Sequence, residues 1–187
     1  MPVISVQKPN FYVFIAASID FIRTRTYNDL NLIRIQVIAM TCCFFGHKDS
    51  PSTIAPKLER VLTDLIVTQG VDSFIMGHQG HFDAMVLSAV RKMKERYPYI
   101  TYKVVLAYMP GKKEEWSPYA AEETMYPEGL EFVPRRFAIS WRNKWMINES
   151  DVVVCYITHS WGGAAQYVEL AECKKKLIVN LATRQTI

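Results

Sequence analysis

Three short glycine-containing segments carry side chains and backbone amides suited to binding an anion. They are Gly46-His47-Lys48, the run from Gly77 to Asp83, and Ser160-Trp161-Gly162-Gly163-Ala164. Glycine lets the backbone approach a ligand closely, and the first amides of a helix form a positive end that favours phosphate. Two segments of this kind at the strand ends of one sheet support a phosphate-binding site more strongly than one segment does. The residue types therefore favour a ligand that bears phosphate.

Individual side chains in these segments have assignable roles. His47 and Lys48 are suited to contact phosphate, and Gly77 and Gly80 lead into a predicted helix. Asp83 either accepts a ribose hydroxyl or is an ordinary acidic residue of a first helical turn. The candidate ligand-binding residues are Gly46, His47, Lys48, Gly77, Gly80, Phe82, Asp83, Asn143, Gly162, Gly163 and Ala164.

Metal and disulfide chemistry have little support. His47, His78 and His81 lie on different predicted loops, with no carboxylate at ligand spacing, so we predict no metal and no cofactor. The four cysteines include no C-x-x-C pair. Three of them fall in apolar runs, which fits buried free thiols in a reducing compartment. We therefore expect a cytoplasmic protein.

The elements that position these segments follow from hydrophobic periodicity and from glycine and proline at the ends of runs. The predicted strands are 41–45, 71–76, 100–108, 151–157 and 177–181. The predicted helices are 52–69, 82–97, 137–148 and 163–174. The segment 109–134 has no sustained periodicity and is predicted to be a long loop. Its residues Trp116, Tyr119 and Tyr126 either stack on a base or cover the edge of the sheet.

Alternating strands and helices predict one α/β domain of Rossmann-like architecture, with a parallel sheet covered by helices on both faces. Ligands of such folds bind outside the carboxyl ends of the strands, where the strand order reverses. Each glycine-containing segment follows a predicted strand at such an end. Arg142 and Asn143 lie on a helix whose start is directed either toward the same crevice or away from it.

The length and the net charge of the chain limit its domain organisation and its partners. The chain has 187 residues and a net charge of +4, with 22 basic and 18 acidic residues and no basic stripe. We therefore expect one domain, over 40–187, and regard nucleic acid as an unlikely partner. Residues 1–39 are either a helical extension or sequence upstream of an internal start at Met40. Their apolar stretch 11–22 is too short to span a membrane and contains Asp20, so no membrane association is expected.

The order and spacing of the motifs resemble the SLOG superfamily, which contains the DNA-processing DprA (Smf) proteins and the LOG cytokinin-activating enzymes. The likeness rests on four motifs and covers roughly 41–182. They are Gly46-His47-Lys48, Gly77-x-x-Gly80-x-Phe82-Asp83, Arg142-Asn143-x-x-Met146-x-x-x-Ser150-Asp151 and Gly162-Gly163-Ala164. The small bacterial and phage branch typified by YpsA and YoqJ is the most similar part of the superfamily.

The resemblance implies a Rossmannoid fold, a nucleotide-derived ligand and, since family members often pair through helices, compatibility with a homodimer. LOG enzymes hydrolyse the N-glycosidic bond of a nucleotide with an arginine and a glutamate, and Arg142 and Glu169 fall at those positions. However, Ala165 and Gln166 replace a glycine and a threonine of the LOG pattern. A sensor or regulatory module that binds a nucleotide is therefore the first expectation. A LOG-like phosphoribohydrolase is the alternative, followed by DprA-like binding of single-stranded DNA.

Overall fold

The computed structural model describes residues 39–109 and 123–183, and they form one six-stranded parallel sheet. The strands are β1 (Met40–Gly46), β2 (Val71–Met76), β3 (Thr101–Val105), β4 (Thr124–Met125), β5 (Val152–Tyr156) and β6 (Leu177–Asn180). Their order across the sheet is β4-β3-β2-β1-β5-β6, and each neighbouring pair is parallel. Strands β2, β3 and β4 therefore lie in succession on one side of β1, and β5 and β6 lie on the other side of β1.

Within the described ranges, four α-helices cover the sheet on both faces. They are α1 (Ala55–Val67), α2 (His81–Arg96), α3 (Arg135–Asn148) and α4 (Gly163–Cys173). Short 3-10 helices lie at Ser52–Ile54 and Leu130–Phe132. Helices α1 and α2 pack in one apolar cluster, and α3 and α4 pack in a second. The predicted α/β fold, a Rossmann-like parallel sheet between two helical layers, is confirmed.

The side chains of β1 show how one strand serves both cores. Cys42 and Phe44 belong to the cluster shared with α1 and α2, whereas Cys43 and Phe45 belong to the cluster shared with α3 and α4. Successive side chains of a strand point to opposite faces, so a central parallel strand is apolar at every position. This is why β1 reads in the sequence as a continuous apolar run.

The boundaries depart from the predictions mainly after β3. The strand predicted over 100–108 ends at Val105, and the segment predicted as a loop contains β4 and the 3-10 helix Leu130–Phe132. Two paired residues are too few to give a period-2 pattern, so β4 has no sequence signal. Tyr126 is partly buried against the first core cluster, whereas Trp116 and Tyr119 lie outside the described residues.

Almost all of the predicted N-terminal extension lies outside the described residues, because the structure begins at residue 39 and β1 begins at Met40. Within 39–109 and 123–183, no helix combines the length and the apolar character needed to cross a bilayer.

A very tight packing contact lies at the carboxyl end of β1. Phe82, fully buried in the first turn of α2, places its ring on Gly46. A Cβ atom added at Gly46 would lie 2.3 Å from Cγ of Phe82, far inside van der Waals contact. Glycine at this position therefore lets the start of α2 pack against the carboxyl end of β1.

We predict that Gly46→Ala destabilises the fold by about 1–3 kcal/mol, because the Phe82 ring must shift inside a packed core. Chemical unfolding measured by circular dichroism gives the free energy of unfolding. The matched control is Gly163→Ala, because an added Cβ there meets no atom of the described residues within 4 Å. We expect this control to keep or slightly raise stability. Equal stability of the two variants would show that the Phe82 contact does not constrain the chain.

Candidate functional site

We call the region outside the carboxyl ends of β1 and β5, where the strand order reverses, the crevice. β1 pairs with β2 on one side and with β5 on the other, although β5 comes much later in the chain. Parallel strands bring their carboxyl ends to one edge of the sheet, so the segments after β1, β2 and β5 meet there. All three glycine-containing segments predicted from the sequence lie at this edge.

The helices that flank β1 begin with glycine in nearly the same conformation. Gly80 precedes α2 with φ 109° and ψ 169°, and Gly162 precedes α4 with φ 97° and ψ 169°. L-residues with side chains rarely adopt this conformation. Both helices therefore begin with the same backbone turn, one on each side of β1.

The start of α2 is occupied by groups of the protein itself. The Asp83 carboxylate accepts a hydrogen bond from the backbone N–H of Gln79 (2.8 Å), and the N–H of His81 donates to the Lys48 carbonyl oxygen (3.3 Å). A Cβ atom added at Gly77 would lie 2.5 Å from Oδ2 of Asp83. The sequence left two roles open for Asp83. In the structure, its carboxylate binds the backbone of the loop that precedes α2.

The start of α4 is open. In the part of the chain that the structure describes, no atom lies within 4 Å of a Cβ added at Gly162 or Gly163, and the first turn of α4 contains no acidic residue. Within the described ranges, the backbone amides of 163–165 donate no hydrogen bond. Unpaired first-turn amides with the positive end of the helix dipole form an anion-binding surface.

Arg142 is the buried cation of the site. It is only 3% exposed and extends from α3 to donate from Nη1 to the Val105 carbonyl oxygen at the end of β3 (2.7 Å). Its Nε is buried, and no acceptor for it lies among the described residues. Burial lowers the pKa of Arg142, and the nearby Asp83 carboxylate opposes that shift. Arg142 therefore links α3 to the carboxyl end of β3 and lies beside the Gly77 loop that follows β2.

The predicted partner of Arg142, Glu169, has a different environment. Tyr167 stacks on Phe45 (ring centroids 5.5 Å apart) and interacts electrostatically with Arg142, so it lies on the inner side of α4. Two residues further along a helix is a rotation of about 200°. Glu169 accordingly lies on the exposed side of α4. The catalytic roles of Arg142 and Glu169 stay a prediction, and the structure places the two on different sides of this helix.

The histidines considered as metal ligands lie in different environments. His81 donates from Nδ1 to the Ser50 carbonyl oxygen (2.7 Å), and burial together with Arg142 lowers the pKa of His78. His47 accepts at Nε2 a hydrogen bond from the Thr158 N–H (3.2 Å). In the part of the chain that the structure describes, no three His, Cys, Asp or Glu side chains are placed to hold a metal ion.

The remaining predicted ligand-binding residues line the same edge or its approach. Lys48 is exposed and lies against Gly80, and Ala164 is half-buried in the first turn of α4. Asn143 is half-buried on α3. Together with Gly162, Gly163 and His47, Lys48 and Ala164 surround the ends of β1 and β5, whereas Asn143 lies on the supporting helix.

An aromatic stack that was not predicted from the sequence lies at this edge. The rings of His47 and His159 are 3.8 Å apart between centroids, and those of His159 and Trp161 are also 3.8 Å apart. The only sequence signal was the alternation of His159 and Trp161 directly after β5. Their partner His47 follows β1, more than 100 residues earlier, so only the sheet order reveals the stack.

Comparison with protein-family models finds no match, and comparison with curated proteins finds no significant similarity. The SLOG resemblance therefore stays a prediction from the motifs.

Asp83 provides a pH test of the site. Burial raises its pKa to about 6, against the lowering effects of the Gln79 amide and Arg142. The folded protein thus holds this proton up to about pH 6, whereas the unfolded chain releases it near pH 4. Since the folded state binds more protons between these values, the contribution of Asp83 to stability is full below pH 4 and is lost as the pH rises through 6.

We predict that Asp83→Asn removes this dependence, because asparagine keeps an acceptor for the Gln79 amide but does not titrate. Between pH 4 and pH 7, the free energy of unfolding of the wild type should fall relative to the variant by up to about 3 kcal/mol. Urea unfolding at both pH values measures this difference. Asp64→Asn, at an exposed position on α1, is the control and should run parallel to the wild type. A parallel curve for Asp83→Asn would contradict the assignment.

Proposed function

We propose that this chain binds a nucleotide or a nucleotide-derived ligand at the carboxyl ends of β1 and β5, as a sensor or regulatory module. The observation that carries the proposal is the contrast between the two helix starts. The turn before α2 binds the Asp83 carboxylate through the Gln79 N–H, whereas, among the residues that the structure describes, the first-turn amides of α4 donate no hydrogen bond and its first turn has no acidic side chain. An external anion at α4 would supply the negative charge that Asp83 supplies at α2.

A phosphate group fits this position for electrostatic and steric reasons. The eleven residues of α4 carry a full helix dipole directed at the crevice, and Gly162 and Gly163 leave room for a ligand to approach the backbone. His47 lies beside β5, and Lys48 follows it in the chain. Burial and the neighbouring His159 lower the pKa of His47, and its Nε2 accepts the hydrogen bond from the Thr158 N–H.

Binding has more support than hydrolysis. A phosphoribohydrolase of the LOG type needs its carboxylate at the ribose, and Glu169 lies on the exposed side of α4, away from the face that interacts with Arg142. The open helix start, by contrast, needs no catalytic group to bind phosphate. The proposal therefore concerns recognition of the ligand.

The experiment is native mass spectrometry of the full chain with the four 5′-ribonucleoside monophosphates, with the small molecules recovered and identified afterwards. We compare the isosteric pair Gly163→Asp and Gly163→Asn. Both add a side chain at the first residue of α4, and only the aspartate adds a negative charge at the phosphate position. We expect at least one nucleotide to bind the wild type intact, and Gly163→Asp to lower its affinity at least about tenfold more than Gly163→Asn.

Two results would contradict the proposal. Absence of binding by every nucleotide would remove nucleotide recognition, and equal effects of the two Gly163 variants would move the phosphate away from α4. Release of free base, abolished by Glu169→Ala, would instead establish the hydrolase alternative.

A further inference from the structure

The aromatic stack at the crevice is fixed at both ends of the loop after β5. The Thr158 N–H donates to Nε2 of His47, and Nδ1–H of His159 donates to the Trp161 carbonyl oxygen (2.9 Å). The interplanar angles are 24° between His47 and His159 and 14° between His159 and Trp161. The three rings are therefore close to parallel and are positioned by two strands that pair directly in the sheet.

The stack becomes progressively more exposed toward Trp161. His47 is buried, His159 is half-buried, and Trp161 is 72% exposed. Since one face of the indole lies on His159, its exposure comes from the opposite face and the ring edges. Holding a large apolar ring in one orientation while it faces water has a cost in side-chain entropy and gains little burial. A ligand ring stacked on the open face would supply the missing contact.

The open face lies next to the phosphate position. Trp161 precedes Gly162 and Gly163, and two residues of chain span at most about 7 Å. A single ribose joins the base of a mononucleotide to its phosphate. An indole platform and unpaired amides this close together therefore match the two ends of one mononucleotide.

We propose that Trp161 is the base platform of this site, so that the ligand class is a nucleotide with an aromatic base rather than a base-free sugar phosphate. This inference rests on the proposed function and deepens it. The base stacks on the outer face of Trp161 as the fourth ring of the column, and the phosphate lies on the first-turn amides of α4. Stacking on an aromatic side chain tolerates different bases, since every base has a π-face.

The test compares two probes by isothermal titration calorimetry on the full chain. The probes are ribose 5-phosphate and the most tightly bound of the four 5′-ribonucleoside monophosphates. We expect the nucleotide to bind at least about fivefold more tightly, since base stacking contributes about 1–3 kcal/mol. Trp161→Ala should remove this difference by weakening nucleotide binding about 5- to 150-fold, while ribose 5-phosphate binding stays unchanged.

Two further variants separate stacking from general surface effects. Trp161→Phe keeps a smaller ring and should retain part of the preference for the nucleotide. Tyr99→Ala removes an exposed aromatic that precedes β3, at the opposite edge of the sheet, and should leave both affinities unchanged. Because Trp161 is exposed, unfolding curves are expected to show that all variants fold.

The outcomes distinguish this inference from the proposed function. If the two probes bind equally well, or if Trp161→Ala weakens both by the same factor, the base platform is overturned and phosphate binding at α4 stands. If neither the nucleotides nor ribose 5-phosphate bind the wild type, both proposals are overturned together.

Discussion

The contact between the Phe82 ring and Gly46 determines how the ends of the central strands are arranged. Because Gly46 has no side chain, the first turn of α2 packs directly against the carboxyl end of β1. The loop from Gly77 to Gly80 is then held against the segment after β1, through the hydrogen bond from His81 to Lys48. One side of the β1 end is thus closed by the protein itself, and the crevice is left on the side of β5.

The same backbone turn has different consequences on the two sides of β1. Before α2 it is satisfied internally by a buried carboxylate, and Arg142 lies close enough to influence the pKa of that carboxylate. In α4 the third helical residue is Ala165, which supplies no charge and packs inward. Asp83 and Ala165 are the third residues of the two helices, and this difference of one side chain separates the turn that the protein fills itself from the turn at which we propose that an anion binds.

The fold was predictable because central parallel strands and amphipathic helices leave strong periodic signals. The positions of the glycine turns were predictable too, since glycine before a helix has a defined backbone role. The roles of particular side chains were not. Asp83 had two readings in the sequence, and arginine is seldom as deeply buried as Arg142. The stack of His47 on His159 depends on β1 lying beside β5, which alternating elements do not specify.

The central claim is that the ligand binds at the start of α4. An amide NMR titration of the full chain, labelled with nitrogen-15, tests it with the most tightly bound ribonucleoside monophosphate. We predict that the largest shift changes occur at Gly163 and Ala164, and that amides at the opposite edge of the sheet, such as Gly70, do not move. The largest changes at the opposite edge, or no change at the start of α4 under saturating nucleotide, would contradict the account.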